Sequence, residues 1–119
     1  MRARAWCRRR QSDQARVCSR LEPAPGHTPG PSVLRLESAG ERAVFVGDIL
    51  HSPVQMVEPD CNSCFCEDPC RGHNTRRRIL EQAADRRELV ITAHFGGHGV
   101  MEVNRQGSRF TVSGWAAFR

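Results

Sequence analysis

The chain has 119 residues, of which 39% are hydrophobic and 26% charged, a composition typical of one globular domain rather than of a disordered or membrane-embedded chain. Its formal net charge is +5, but seven arginines and one aspartate lie in residues 1–20, which leaves eleven arginines against twelve acidic residues in 21–119. Because a nucleic-acid-binding protein needs a basic face on its folded part, this near-neutral body argues against nucleic acid as a partner.

Residues 1–20 are rich in arginine and show neither the period of a strand nor that of a helix. We therefore expect a disordered arm over residues 1–20 and a folded domain over residues 21–119. The arm has no apolar segment of the kind found in secretory signals, so we predict a cytoplasmic protein with reduced cysteines. The apolar runs are far shorter than the ~20 residues of a membrane-spanning helix, and no membrane contact is expected.

The first elements of the predicted domain are a rigid turn and a hairpin. Residues 23–31 contain four prolines and two glycines around His27, which favours an ordered turn. Residues 32–38 alternate between apolar and polar side chains, and residues 43–46 are a continuous apolar run of strand length. The second strand ends at a polar exit that contains Asp48.

A long connector, one helix and three strands follow. Residues 51–72 contain three prolines and little periodicity, and long connectors inside compact domains are usually functional. A helix from Thr75 to Arg87 is predicted from the apolar stripe of Ile79, Leu80, Ala83 and Ala84. Strands are expected at 89–93, 100–104 and 109–112. The predicted fold class is α/β, a mixed β-sheet with one main helix on one face.

Three side chains that can bind metals share one position in this arrangement. His27 lies in the rigid turn, whereas Asp48 and His94 each follow directly after a predicted strand. Because neighbouring strand ends lie ~5 Å apart, such side chains can converge on one ion. Imidazole nitrogen and carboxylate oxygen suit Zn²⁺, Mn²⁺ or Fe²⁺, and a mixed set is typical of hydrolytic sites. Taken singly, Asp48 is an ordinary turn residue and His94 an ordinary partly buried histidine, so the prediction depends on all three.

The same residues resemble a known family. The stretches Pro25–Gly30, Gly47-Asp48 and Ala93–Phe95 resemble the second half of a metallo-β-lactamase-superfamily hydrolase. Within that superfamily, the stretch Gly47–His51 and the Asp68-Pro69 pair before an arginine-rich helix are similar to the branch of quorum-quenching lactonases and methyl parathion hydrolase-like enzymes. The implied fold is the C-terminal half of a metallo-β-lactamase αβ/βα sandwich.

The resemblance, which covers residues 21–119, implies a hydrolytic site with two divalent ions, in most cases zinc. His27 would bind the first ion, Asp48 would bridge both ions as the catalytic carboxylate, and His94 would bind the second. His51, three residues beyond Asp48, would line the substrate. Two metals of this kind hold a hydroxide that attacks an ester, a lactone or a phosphotriester.

One departure from the family limits what is expected of this chain. The signature His-x-His-x-Asp-His, which completes both metal shells, does not occur in the sequence. Each ion would keep about two protein ligands, fewer than the three typical of catalytic zinc, so weak metal binding and no activity of the chain alone are expected. The sequence thus predicts a truncated hydrolase whose small-molecule ester or lactone substrate belongs to the complete enzyme. A partner chain or a second copy would cover the sheet surface left exposed.

The cysteines leave an alternative open. Cys61, Cys64, Cys66 and Cys70 lie within ten residues, and four thiolates can close a tetrahedral zinc site, which would make the chain a zinc-binding interaction module. Their gaps differ from the usual two separated Cys-x2-Cys pairs. A third alternative is that the arginine-rich arm binds nucleic acid or another acidic partner.

Overall fold

The computed structural model describes residues 4–8, 17–28, 30–97 and 99–116, and of residues 4–8 it describes the backbone alone. Within these residues, seven strands form one sheet in sequence order, and two helices follow the fourth strand. The elements are β1 Arg4–Arg8, β2 Val17–Pro23, β3 Ser32–Ser38, β4 Glu41–Gly47, α1 Val54–Val57, α2 Pro69–Arg86, β5 Leu89–Thr92, β6 Val100–Gln106 and β7 Arg109–Trp115.

The sheet is mixed, which confirms the predicted fold class. Strands β4 and β5 pair in parallel, and all other neighbouring pairs are antiparallel. Strands β2, β4 and β5 therefore run in the same direction, and the loops that follow them leave the sheet at the same edge. No described helix is long and apolar enough to cross a membrane.

Helix α2 covers one face of the sheet and forms the core with it. Its residues Ile79, Leu80 and Ala83 are fully buried, together with Val44 on β4 and Val90 on β5. Burying a side chain of this size contributes about 1.5–3 kcal/mol to stability. The apolar stripe predicted for the helix is therefore the face that holds it on the sheet.

The helix begins earlier than the sequence pattern indicated. It was expected from Thr75, but it starts at Pro69, with Asp68 as its N-cap. The carboxylate of Asp68 accepts a hydrogen bond from the backbone N–H of Arg71 at 3.0 Å. Proline is tolerated at the first helical position because the N–H that it lacks has no partner inside the helix. Pro69, which was taken as part of the connector, therefore belongs to the first helical turn.

The first twenty residues differ from the expected disordered arm wherever they are described. Strand β1 pairs with β2, and β2 pairs with β3 along its whole length, so a strand crosses the predicted domain boundary at residue 20. Strand pairing satisfies backbone N–H and C=O groups whatever the side chains are, and a charged edge strand is common in sheets. The rest of the predicted arm, residues 1–3 and 9–16, lies outside the described residues.

The sheet face opposite to α2 carries an apolar row. Leu21, Leu34, Phe45 and Ile91 are paired across β2, β3, β4 and β5. They alternate along their strands with residues that face the helix, such as Val44 and Val46, so they lie on the other side. Leu21 is 47% exposed and Phe45 is 38% exposed. This row is called the open face below.

Candidate metal centre

Asp48 and His94 meet at the edge where the parallel strands end. The last pair of the β4–β5 ladder is Gly47 with Thr92, so the next residues of both strands enter loops at the same place. The Nε2 atom of His94 lies 2.5 Å from the Oδ1 atom of Asp48. Both side chains remain open to solvent, with 43% of His94 and 53% of Asp48 exposed.

Two more imidazoles lie beside this pair. The ring of His51 stacks on that of His94 with centroids 4.9 Å apart and 12° between the planes. The ring of His27 is tilted by 48° against that of His51, with the two centroids 4.7 Å apart. Asp48, His51 and His94 each offer a ligand atom, and these atoms all lie within 4.8 Å of one another.

The turn that carries His27 is attached to the start of α2. The hydroxyl of Thr75 donates to the carbonyl oxygen of Pro25 at 2.6 Å. The backbone N–H of Asp68 donates to the carbonyl of Gly26 at 2.9 Å, and that of Glu67 donates to the carbonyl of His27 at 3.0 Å. Together these contacts place the His27 ring at the same sheet edge as Asp48, across 21 residues of sequence.

Two buried polar side chains hold the loop that carries Asp48 and His51. The guanidinium of Arg76 is 3% exposed and donates to the carbonyl of Ile49 at 2.9 Å and to that of Pro59 at 2.5 Å. The side-chain oxygen of Gln55 accepts from the backbone N–H of His51 at 2.7 Å. Neither role was predicted from the sequence, because an arginine on a helix is normally solvent-exposed and periodicity gives no other signal.

The clustering changes the proton affinity of two groups. The hydrogen bond from His94 keeps the pKa of Asp48 below its ordinary value, although partial burial acts in the opposite direction. Burial lowers the pKa of His51, and the nearby His27 and His94 imidazoles lower it further. A deprotonated carboxylate and a neutral imidazole are the forms that bind metal ions.

The cysteines of the connector do not form a second cluster. Among the described residues, Asp48, His51 and His94 form the only group of three or more such side chains close enough to share an ion. Cys61, Cys64 and Cys70 are exposed, and the thiol of Cys66 donates to the carbonyl of Gly26 at 3.4 Å. The cysteine zinc module is therefore not favoured.

Residues 7–94 match a family model described as the metallo-beta-lactamase superfamily. The chain belongs to this superfamily. The match covers most of the chain, including the predicted metal ligands His27, Asp48 and His94, and it confirms the predicted family. No curated protein matches the chain.

Solved structures of three hydrolytic proteins have a similar fold. AidC, a dizinc quorum-quenching lactonase in complex with a product, N-hexnoyl-L-homoserine, is 25% identical, with a TM-score of 0.78 over 85% of this chain and 35% of that chain. The hydrolase AbOPH in the beta lactamase superfamily is 26% identical, with a TM-score of 0.76 over 83% of this chain and 34% of that chain. A "probable metal-dependent hydrolase" from Staphylococcus aureus is 16% identical, with a TM-score of 0.71 and coverages of 82% and 34%. The chain spans about a third of the length of these proteins.

The structure thus brings together all four residues that the sequence singled out. His27, Asp48 and His94 lie at one sheet edge, as their positions in the predicted topology indicated. His51 was expected to line the substrate, and its ring lies beside those of His27 and His94.

Proposed function

We propose that this chain contributes part of the active site of a metal-dependent hydrolase that cleaves small-molecule esters, lactones or phosphotriesters. One observation carries the proposal: Asp48 and His94 touch at the shared end of two parallel strands, with two further imidazoles beside them. The family membership and the dizinc lactonase among the similar structures support the same chemistry.

The residues present fit a zinc site by their donor chemistry. One carboxylate oxygen and several imidazole nitrogens are the mixed set that Zn²⁺ takes in hydrolytic sites. When bound, the metal supplies an activated water and polarises the oxygen of the carbonyl or phosphoryl group under attack. Because Asp48 and His94 are about half exposed, substrate has access to the cluster from solvent.

Each side chain has a proposed part in the reaction. Asp48, as the catalytic carboxylate, would be shared by the two metal positions when both are filled. His94 would hold the second ion and His27 the first, with their rings oriented by the loops that carry them. The hydrogen bond with His94 holds the pKa of Asp48 below its ordinary value, so this carboxylate is already negative when an ion arrives.

We propose that the complete active site needs metal ligands beyond those in these residues. The sequence lacks the His-x-His-x-Asp-His motif, so the donors of the first metal position must come from elsewhere. The open face, with Leu21, Leu34, Phe45 and Ile91 in register, has the apolar character of a surface covered by another β-layer. The chain alone is then expected to bind metal without turnover. The cytoplasmic location expected from the sequence stays a prediction.

Zinc analysis of the purified full chain tests the metal site. We expect bound zinc that Asp48→Asn and His94→Ala each weaken by at least about tenfold, while His73→Ala, a histidine outside the cluster, leaves it unchanged. Zinc that survives both substitutions but is lost on Cys64→Ser would overturn the proposal in favour of the cysteine module. Hydrolysis of ester and lactone substrates by the chain alone would contradict the need for further metal ligands and leave the metal site standing.

A further inference from the structure

His51 has a position that the expected role of substrate contact does not explain. Its ring is next to two other imidazoles, those of His27 and His94, and its ligand atom is within 4.8 Å of those of Asp48 and His94. His27 is a neighbour of His51 but is not part of this closest group of donors. The three donors of the closest group come from two loops that leave the ends of β4 and β5.

We propose that His51 is a third protein ligand, so that Asp48, His51 and His94 together bind one divalent metal ion without donors from any other chain. This inference rests on the proposed function, because it takes the same cluster as a metal site. Three protein ligands and one open position are the usual arrangement of catalytic zinc, whereas the sequence alone indicated about two ligands per ion.

An unsatisfied atom supports a ligand role for His51. Its Nδ1 atom is buried and has no hydrogen-bond partner among the described residues. Buried polar atoms in folded proteins are nearly always paired, so an exception needs an explanation. Coordination of a metal ion through Nδ1 would give this atom the partner that it lacks.

The backbone around His51 is held in place before any ion binds. Its N–H donates to the side chain of Gln55 at 2.7 Å, and the carbonyl of Ile49, two residues earlier, accepts from buried Arg76 at 2.9 Å. The N–H of Ile49 also donates to the carbonyl of Val46 at 3.1 Å, which closes the turn at Asp48. Asp48 and His51 are thus two donors on one short, anchored loop.

Only side-chain rotation is needed to seat an ion. Two donors of a tetrahedral zinc with bonds of about 2.0–2.1 Å lie roughly 3.4 Å apart. The 2.5 Å contact between Asp48 and His94 must open by less than an ångström or so, on the order of one rotamer adjustment. The remaining separations, at most 4.8 Å, must shorten by up to roughly 1.4 Å. An ion bound there replaces the hydrogen bond between Asp48 and His94.

The test measures zinc stoichiometry by elemental analysis and the visible spectrum of the Co²⁺-loaded full chain. We expect one ion per chain. His51→Phe keeps an aromatic ring at this position but removes both nitrogens. It should weaken zinc binding at least about tenfold and change the Co²⁺ spectrum. The control His73→Phe removes an imidazole outside the cluster and should keep both the ion and the spectrum. Circular dichroism and thermal unfolding check that each variant is folded.

The outcomes separate this inference from the proposed function. If His51→Phe leaves zinc affinity and the Co²⁺ spectrum unchanged while Asp48→Asn abolishes binding, His51 is not a ligand and the metal site stands. If no substitution in the cluster affects zinc, both proposals fail. If His51→Phe does not fold, His51→Gln is measured instead, and retention of the native affinity and Co²⁺ spectrum in that variant would likewise overturn the inference.

Discussion

The backbone of Gly26 lies directly against that of Gly72. A Cβ atom on Gly26 would be 2.2 Å from the backbone nitrogen of Gly72, and the φ angle of Gly26 is +132°, a region that side chains rarely allow. This contact joins the His27 turn to the first turns of α2. The position of one candidate ligand therefore depends on the absence of a single methyl group.

Gly26→Ala should destabilise the protein by about 1–3 kcal/mol, because the backbones must separate and the φ angle is strained. Chemical denaturation measures the change in the free energy of unfolding. Gly30→Ala, in the same turn and with no atom within 4 Å of the added Cβ, is the matched control and should have a small effect. Equal effects of the two substitutions would show that the contact between Gly26 and Gly72 is unimportant.

Gln55→Ala should weaken zinc binding by about 10–100-fold, the usual effect of losing a group that orients a metal ligand. The reason is that Gln55 links the backbone N–H of His51 to the carbonyl of Cys61. Isothermal titration with zinc measures the affinity. Val54→Ala, at an exposed neighbouring position of α1, is the control and should leave it unchanged. Native affinity in Gln55→Ala would contradict the positioning role.

Glu22 should make stability depend on pH in the acid range. Burial raises the pKa of Glu22, but hydrogen bonds and charges from Arg78 and Arg35 outweigh it, so the pKa lies below the ordinary value of 4.5. The stabilisation by Glu22 is therefore complete above its ordinary pKa of 4.5. It is lost as the pH falls from there through the lower pKa of the folded state.

Glu22→Gln should therefore cost about 1–2 kcal/mol near pH 7, and the difference from the wild type should shrink below pH 4.5. Denaturation at several pH values measures this. Glu41→Gln, at the exposed start of β4, is the control and should show little difference at any pH. If the difference in free energy of unfolding between Glu22→Gln and the wild type stays constant down to about pH 3, the ion-pair explanation is wrong.

Phe45→Ser should reduce self-association of the chain and bind less of an apolar dye, because it breaks the row of the open face at its centre. The side chain is 38% exposed, so the free energy of unfolding should change by about 1 kcal/mol or less. Sedimentation velocity measures association, and Val54→Ser, which is exposed on α1, should not alter it. Unchanged association in Phe45→Ser would remove the open face as a contact surface.

The local pattern of the sequence was sufficient for strand β3, the apolar run of β4 and the apolar face of α2. These features depend on neighbours a few residues apart, so the sequence itself contains them. The polar side chains that follow β4 and β5 marked Asp48 and His94 as candidates, but the parallel pairing that brings them together joins segments far apart in the sequence. The family resemblance of the His27, Asp48 and His94 stretches added the expected chemistry.

Only the tertiary structure decided the surroundings of the site. Arg35 and Arg76 are buried, and the partners of Arg76 are carbonyls 15–27 residues away, which no periodicity encodes. The position of His51 beside two other imidazoles is likewise set by which segments pack together. The same holds for the strands in residues 1–20. A buried guanidinium or ring is stable only where distant backbone groups satisfy it, and that condition exists only once the chain has folded.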